Sequence, residues 1–192
     1  MKKIILFFLL FFTFPTLALS NEITSAQIDR MYIGESLLNF YTKEEIENAY
    51  NYDDLPSDMK FRITEIEANM PSPYEVYQFY HVPDDKGFII HGIRAAKFCK
   101  SKKECEVEFN KMDDYLSTIF DNVEKIGPIT ESHIDDPSGK SKYTVVEYNI
   151  PSGNVSVNYT NWSNKVIYDD NVSVSVYSKD VEEWVRNDYG LN

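Results

Sequence analysis

The sequence predicts an α+β fold: about six mostly antiparallel strands in two α-β-β-β units, with helices packed on one sheet face. Three observations point to it. Apolar residues recur at spacings of three and four over residues 102–124, the period of an amphipathic helix. The period changes to two over 155–160 and 172–176, as in half-buried strands. The succession of helix and three strands occurs twice, and helices alternating with antiparallel meanders make an α+β layout.

Taken in order, the chain opens with Met1-Lys2-Lys3 and an apolar run over 4–14, closed by Pro15 and by the small residues Ala18 and Ser20. This is the anatomy of a secretory signal peptide, expected to be cut after Ser20. It falls short of the ~20 apolar residues that a spanning helix needs. Residues 21–192 are then expected to form one domain, with possible tandem units at 34–100 and 101–192. Losing Lys2 and Lys3 takes the net charge from −12 to −14.

Residues 36–40 and 42–46 read as two short helices, the first capped by Ser36 and the second by a Thr42–Glu45 capping box. Strands follow at 61–67, 74–82 and 88–98, separated by Pro71-Ser72-Pro73 and by the turn at 83–87. Thr64 and Glu67 also fit a capping box, but no helical period stands behind them, so they are read as strand residues. The long helix starts at a Ser101–Glu104 box and presents Cys105, Phe109, Met112, Leu116, Ile119, Phe120 and Val123 as one stripe. Gly127-Pro128 reads as its stop. After a polar loop at 135–140, three strands run over 142–150, 155–160 and 172–176. Their Val and Tyr residues alternate with Ser156, Asn158, Thr160, Ser173 and Ser175, a polar outer face. Asp180 and Glu183 read as the start of a last helix carrying Val181, Trp184 and Val185.

The two cysteines, Cys99 and Cys105, are expected to form a disulfide, since an exported chain meets an oxidising compartment. The spacing is not that of a redox pair, and the intervening residues offer no zinc ligands. The pair would pin the preceding strand to the helix entrance.

Over Ile33-Gly34-Glu35-Ser36-Leu37-Leu38-Asn39-Phe40-Tyr41-Thr42-Lys43-Glu44-Glu45-Ile46 the chain resembles small exported proteins of AT-rich marine alphaproteobacteria. In these a Gly-x-Ser-Leu-Leu-like element precedes a capped acidic helix. The resemblance implies a Gram-negative envelope origin and no particular activity. The α-β-β-β layout is distantly similar to the β-lactamase inhibitor protein and to the small lipoprotein of outer-membrane barrel assembly, though no lipobox cysteine is present.

Chemistry is mostly excluded. With 31 acidic against 19 basic residues, nucleic acid and anionic lipid are poor partners. No nucleophile elbow, phosphate-binding loop, dinucleotide fingerprint or metalloprotease motif occurs, and no cofactor is expected. His81 and His91 flank one turn and would chelate a metal only with a third ligand, so they read as ordinary strand histidines. The pairs Asp53-Asp54, Asp84-Asp85, Asp135-Asp136 and Asp169-Asp170 sit at turns and read as solvated. Sequons at Asn154, Asn158, Asn161 and Asn171 follow from polar strand faces.

What remains is aromatic. Tyr74, Tyr77, Phe79 and Tyr80 fill both parities of one strand. Burial on both faces explains this. The sharper reading makes Tyr74, Tyr77 and Tyr80 a recognition surface. The expected function is a non-catalytic periplasmic or secreted module that binds an envelope protein or component. Two alternatives are an inhibitor of an extracytoplasmic enzyme and a hydrolase of envelope polymers using carboxylates or histidines.

Overall fold

A computed structural model describes residues 23, 26–51, 59–68, 71–163 and 168–187, so the expected signal peptide and Asp53-Asp54 lie outside the described residues. The chain begins with a hairpin of β1 (Gln27–Ile28) and β2 (Met31–Tyr32), turned at Asp29 with φ 55°. A 3-10 turn (Leu37–Asn39) and α1 (Lys43–Asn48) lead to the short β3 (Tyr50–Asn51). A meander of β4 (Arg62–Glu67), β5 (Val76–His81) and β6 (Gly92–Phe98) precedes α2 (Lys102–Ile119). Then come β7 (Glu124–Ser132), β8 (Lys142–Ile150), β9 (Gly153–Asn161), β10 (Asn171–Ser178) and α3 (Lys179–Asn187). The fold is α+β, on one eight-stranded antiparallel sheet in the order β3-β4-β5-β6-β10-β9-β8-β7. Among the described residues no helix is long and apolar enough to cross a membrane.

Local signals set most element starts. The Thr42–Glu45 box closes in both directions, at 3.2 and 2.7 Å. Ser36 caps the 3-10 turn through the N–H of Leu38 and also donates to the Gly87 carbonyl. At α2 only half the expected box forms: Ser101 takes the N–H of Glu104, while the Glu104 carboxylate accepts from Lys100. Thr64 and Glu67 lie in β4, as the missing helical period implied. Cys99 and Cys105 are disulfide-bonded, with Cα atoms 5.5 Å apart.

Other expectations need correction. The helix ends at Ile119 rather than near 124, and Gly127-Pro128 lies inside β7, where the register with β8 shifts between Ile126 and Ile129. A proline costs an edge strand little and blocks further pairing there. The sheet thus gains β7 and the two-residue β3 beyond the six expected strands. The last helix starts at Lys179 directly from β10, with the Ser178 hydroxyl 3.4 Å from the N–H of Val181, so Asp180 is already inside it.

The register defines two faces. Ile66, Tyr77, Ala95, Val174, Val157 and Val146 align across six strands on the face beneath α2. There Cys105, Phe109, Leu116 and Phe120 join the core, while Ile119 is exposed. The helices are not all on that face. α3 lies on the opposite one, where Val181 and Trp184 pack with Phe61, Ile63 and Tyr80. An amphipathic helix leaving the end of β10 finds an apolar patch there.

Candidate functional site

Beside α2, the β1–β2 hairpin and the segment before β5 enclose a crevice of about 210 Å³. Gln27, Ile28 and Asp29 form one wall, Pro73 and Tyr74 a second, and Met112, Tyr115 and Leu116 of α2 a third, above Val174. The volume is below the roughly 300–1,000 Å³ of drug-sized ligand sites, so it suits one side chain or one ring.

Among the described residues Asp29 is the crevice's only acidic lining residue. Its Oδ2 accepts from the Ser72 hydroxyl at 2.8 Å and from the Tyr77 phenol. Ser72 and Tyr77 are themselves 2.6 Å apart, and Ser72 Oγ takes the N–H of Tyr74 at 2.9 Å. These contacts bind the hairpin turn to the start of β5 and fix the carboxylate from below. The Tyr74 and Tyr77 rings meet edge-on at 6.2 Å, and Tyr77 stacks on Phe79 at 5.8 Å.

The electrostatics keep the phenols around the crevice protonated. Burial first, then the Asp29 charge, pushes Tyr74 up to about 12. Burial and the hydrogen bond to Asp29 raise Tyr77 as well. Tyr41, behind them, is also pushed up to about 12 by burial, with Glu45 and Asp29 adding to it. Neutral phenols beside a hydrogen-bonded carboxylate donate and accept hydrogen bonds; none is poised as a base near neutrality.

The tyrosines expected on one recognition surface separate. Tyr77 is fully buried and Tyr80 nearly so, at 0% and 6% exposure, on opposite faces of β5. Adjacent strand residues point apart, and this strand is covered on both sides. Tyr80 packs against Tyr177 and Trp184 under α3. Only Tyr74 lines the crevice. Tyr115, 66% exposed at its rim, and Asp29 went unnoticed in the sequence. Tyr115 had a signal, as an aromatic residue off the helix's apolar stripe. Asp29 had none.

His81 and His91 take separate partners. His81 lies 2.9 Å from Thr64 Oγ1 and edge-on to Phe88, whereas His91 packs on Phe61. Among the described residues no group of three or more His, Cys, Asp or Glu side chains could hold a metal ion. In each described acidic pair the first aspartate is exposed, as expected, and the second is less solvated. Asp85 accepts from the N–H groups of Gly87 and Ile89. Asp136, buried, accepts from the N–H groups of Ser138 and Ser141 and from the Ser163 hydroxyl. Asp170 takes Asn161 and the N–H of Trp162. The carboxylates replace water with backbone donors.

The polar alternation of β9 and β10 also departs from expectation. Ser156, Asn158, Thr160, Ser173 and Ser175 do face away from α2, yet all are buried. Their side chains are short, and longer neighbours lean over them: Arg94 bonds Ser173, and Tyr143 bonds Asn158. The sequon residues Asn154 and Asn158 are buried by the same arrangement. No protein family, curated protein or solved structure matches the chain.

Proposed function

We propose that the protein is an exported, non-catalytic binding module that receives one side chain or sugar-sized ring of an envelope partner in the Asp29–Tyr74–Tyr115 crevice. The observation that carries this reading is the crevice itself: aromatic walls converging on a fixed carboxylate, with no acid–base pair. Aromatic side chains give large contact area and a polar tip, which suits recognition. A partner hydroxyl or ammonium group would meet the carboxylate while its carbon skeleton lies against the tyrosines.

Export is part of the proposal, supported by the leader-like residues 1–20 and the Cys99–Cys105 bond. Protein recovered from the cell envelope should have the mass of residues 21–192. An inhibitor of an extracytoplasmic enzyme is one form such a module takes. The hydrolase alternative requires a carboxylate or histidine acting in a cleft, and the crevice offers only the hydrogen-bonded Asp29.

The test is affinity capture with in-cell crosslinking from envelope extracts. One stoichiometric partner is expected for the native protein and for Val107→Ala, a control at an exposed position of the same helix. Tyr115→Ala should lose it while keeping the native circular dichroism. Equal capture by Tyr115→Ala, or release of soluble fragments from cell-wall polymer, would overturn the proposal.

A further inference from the structure

The crevice beside α2 holds a carboxylate whose two oxygens are used unequally. Asp29 Oδ2 accepts from Ser72 Oγ, at 2.8 Å, and from the Tyr77 phenol. Two donors fill the two lone pairs of that oxygen. Among the described residues none donates to Oδ1. Asp29 is half-buried and lines the crevice, so Oδ1 is the acceptor it has left for a ligand.

Charge around that oxygen is one-sided. Among the described residues no basic side chain lines the crevice, whose walls include Tyr74, Met112, Tyr115 and Leu116. Arg30, next in the chain, is exposed and lies outside the lining. Lys111, one turn before Tyr115 on α2, is held by Glu108 at 2.8 Å. The chain as a whole carries a net charge of −12. An anionic ligand is repelled there. A neutral one would cover the carboxylate and leave its charge unbalanced, which is costly.

We infer that the crevice, on the binding reading proposed above, is specific for an alkylammonium group, that of a lysine side chain or of a free primary amine. An ammonium is a compact charge with N–H donors, and one of them meets Oδ1. Its methylene stem lies along Met112 and Leu116 while the tyrosine rings attract the cation. A guanidinium suits the site less well. Its planar fork seeks both oxygens of a carboxylate, and here Oδ2 is already filled. A volume of about 210 Å³ admits one such chain.

The test follows the Asp29 carboxyl 13C and Tyr115 ring resonances of the native labelled protein during titration. The probes are n-butylamine and N-acetyl-lysine methylamide, with N-acetylnorleucine methylamide, N-acetylarginine methylamide and methyl glucoside as comparisons. Saturable shifts at both residues with both amines support an alkylammonium from either source. Shifts with the lysine derivative alone support a lysine side chain, and shifts with butylamine alone a free amine. No shift with either amine, or equal or tighter binding of any comparison probe, would overturn the inference. Asp29→Asn keeps an acceptor for Ser72 and Tyr77 but removes the charge, and its affinity for the amines should fall at least about tenfold. Because the primary readout is on the native chain, a variant that fails to fold leaves the test intact. Asp29→Asn, carried into the capture experiment, separates this inference from the reading it rests on. Partner loss with Tyr115→Ala but not with Asp29→Asn would overturn the ammonium assignment and leave the crevice standing. Retention by both variants would overturn the crevice reading itself.

Discussion

Individual buried polar groups carry much of this fold's sensitivity to conditions. Burial holds His81 below its ordinary value of 6.5. As pH falls through that value the unfolded chain takes up the proton first, so the stability that His81 confers is complete above it and is lost on acidification. The midpoint of urea unfolding should fall between about pH 7.5 and about pH 5.5, and His81→Gln should reduce that fall. His133, also held low by burial, contributes in the same direction, so part of the fall should persist. An undiminished fall in the variant would show that His81 does not govern it. Gly153 is a different constraint. A Cβ there would lie 2.1 Å from the Tyr177 carbonyl oxygen. Gly153→Ala must push β9 from β10 and should cost about 3 kcal/mol in denaturant unfolding. A loss under about 1 kcal/mol would mean the strands part easily.

Among the elements, α2 illustrates how local and covalent signals combine. Ser101 fixes where it starts, and the disulfide from Cys105 to Cys99 ties its first turn to the end of β6. The bond closes a very short loop, for which the chain-entropy estimate is about 2 kcal/mol. Replacing both cysteines by serine should lower stability by about that amount and leave the sheet intact, as read by denaturant titration and far-UV circular dichroism. Complete loss of structure would show that the bond organises the fold and does not merely fasten it. The edge element β7 behaves otherwise. It is exposed along nearly all its length, so its pairing to β8 and not burial holds it in place.

For the whole molecule, the two meanders meet where β6 pairs with β10, which makes one sheet from both halves of the chain. Residues 34–100 alone would expose the β6 ladder and lose the β10, β9 and α2 residues that complete the shared core. That fragment should be unfolded, with collapsed amide dispersion by NMR and no near-UV signal. A folded fragment would establish the tandem units as independent.

The sequence by itself determined the class of the fold, the main helix, six strands, the caps at Ser36, Thr42 and Ser101, and the Cys99–Cys105 pair. All of these rest on interactions within a few residues, or on periodicity along one segment, and such signals are written locally. It could not yield β7, because an exposed edge strand with Gly127-Pro128 has no alternation to read. The sequence named Tyr74, Tyr77 and Tyr80 together as one surface; that Tyr74 lines a crevice while Tyr77 and Tyr80 are buried was decided by what covers each side of β5. The tertiary structure alone brought Asp29 beneath Tyr77, set Tyr115 at the crevice rim and joined Arg94 to Ser173. Asp29 and Tyr77 stand 48 positions apart and Arg94 and Ser173 stand 79 apart, and only the pairing and packing of the sheet decides which side chains meet across such separations.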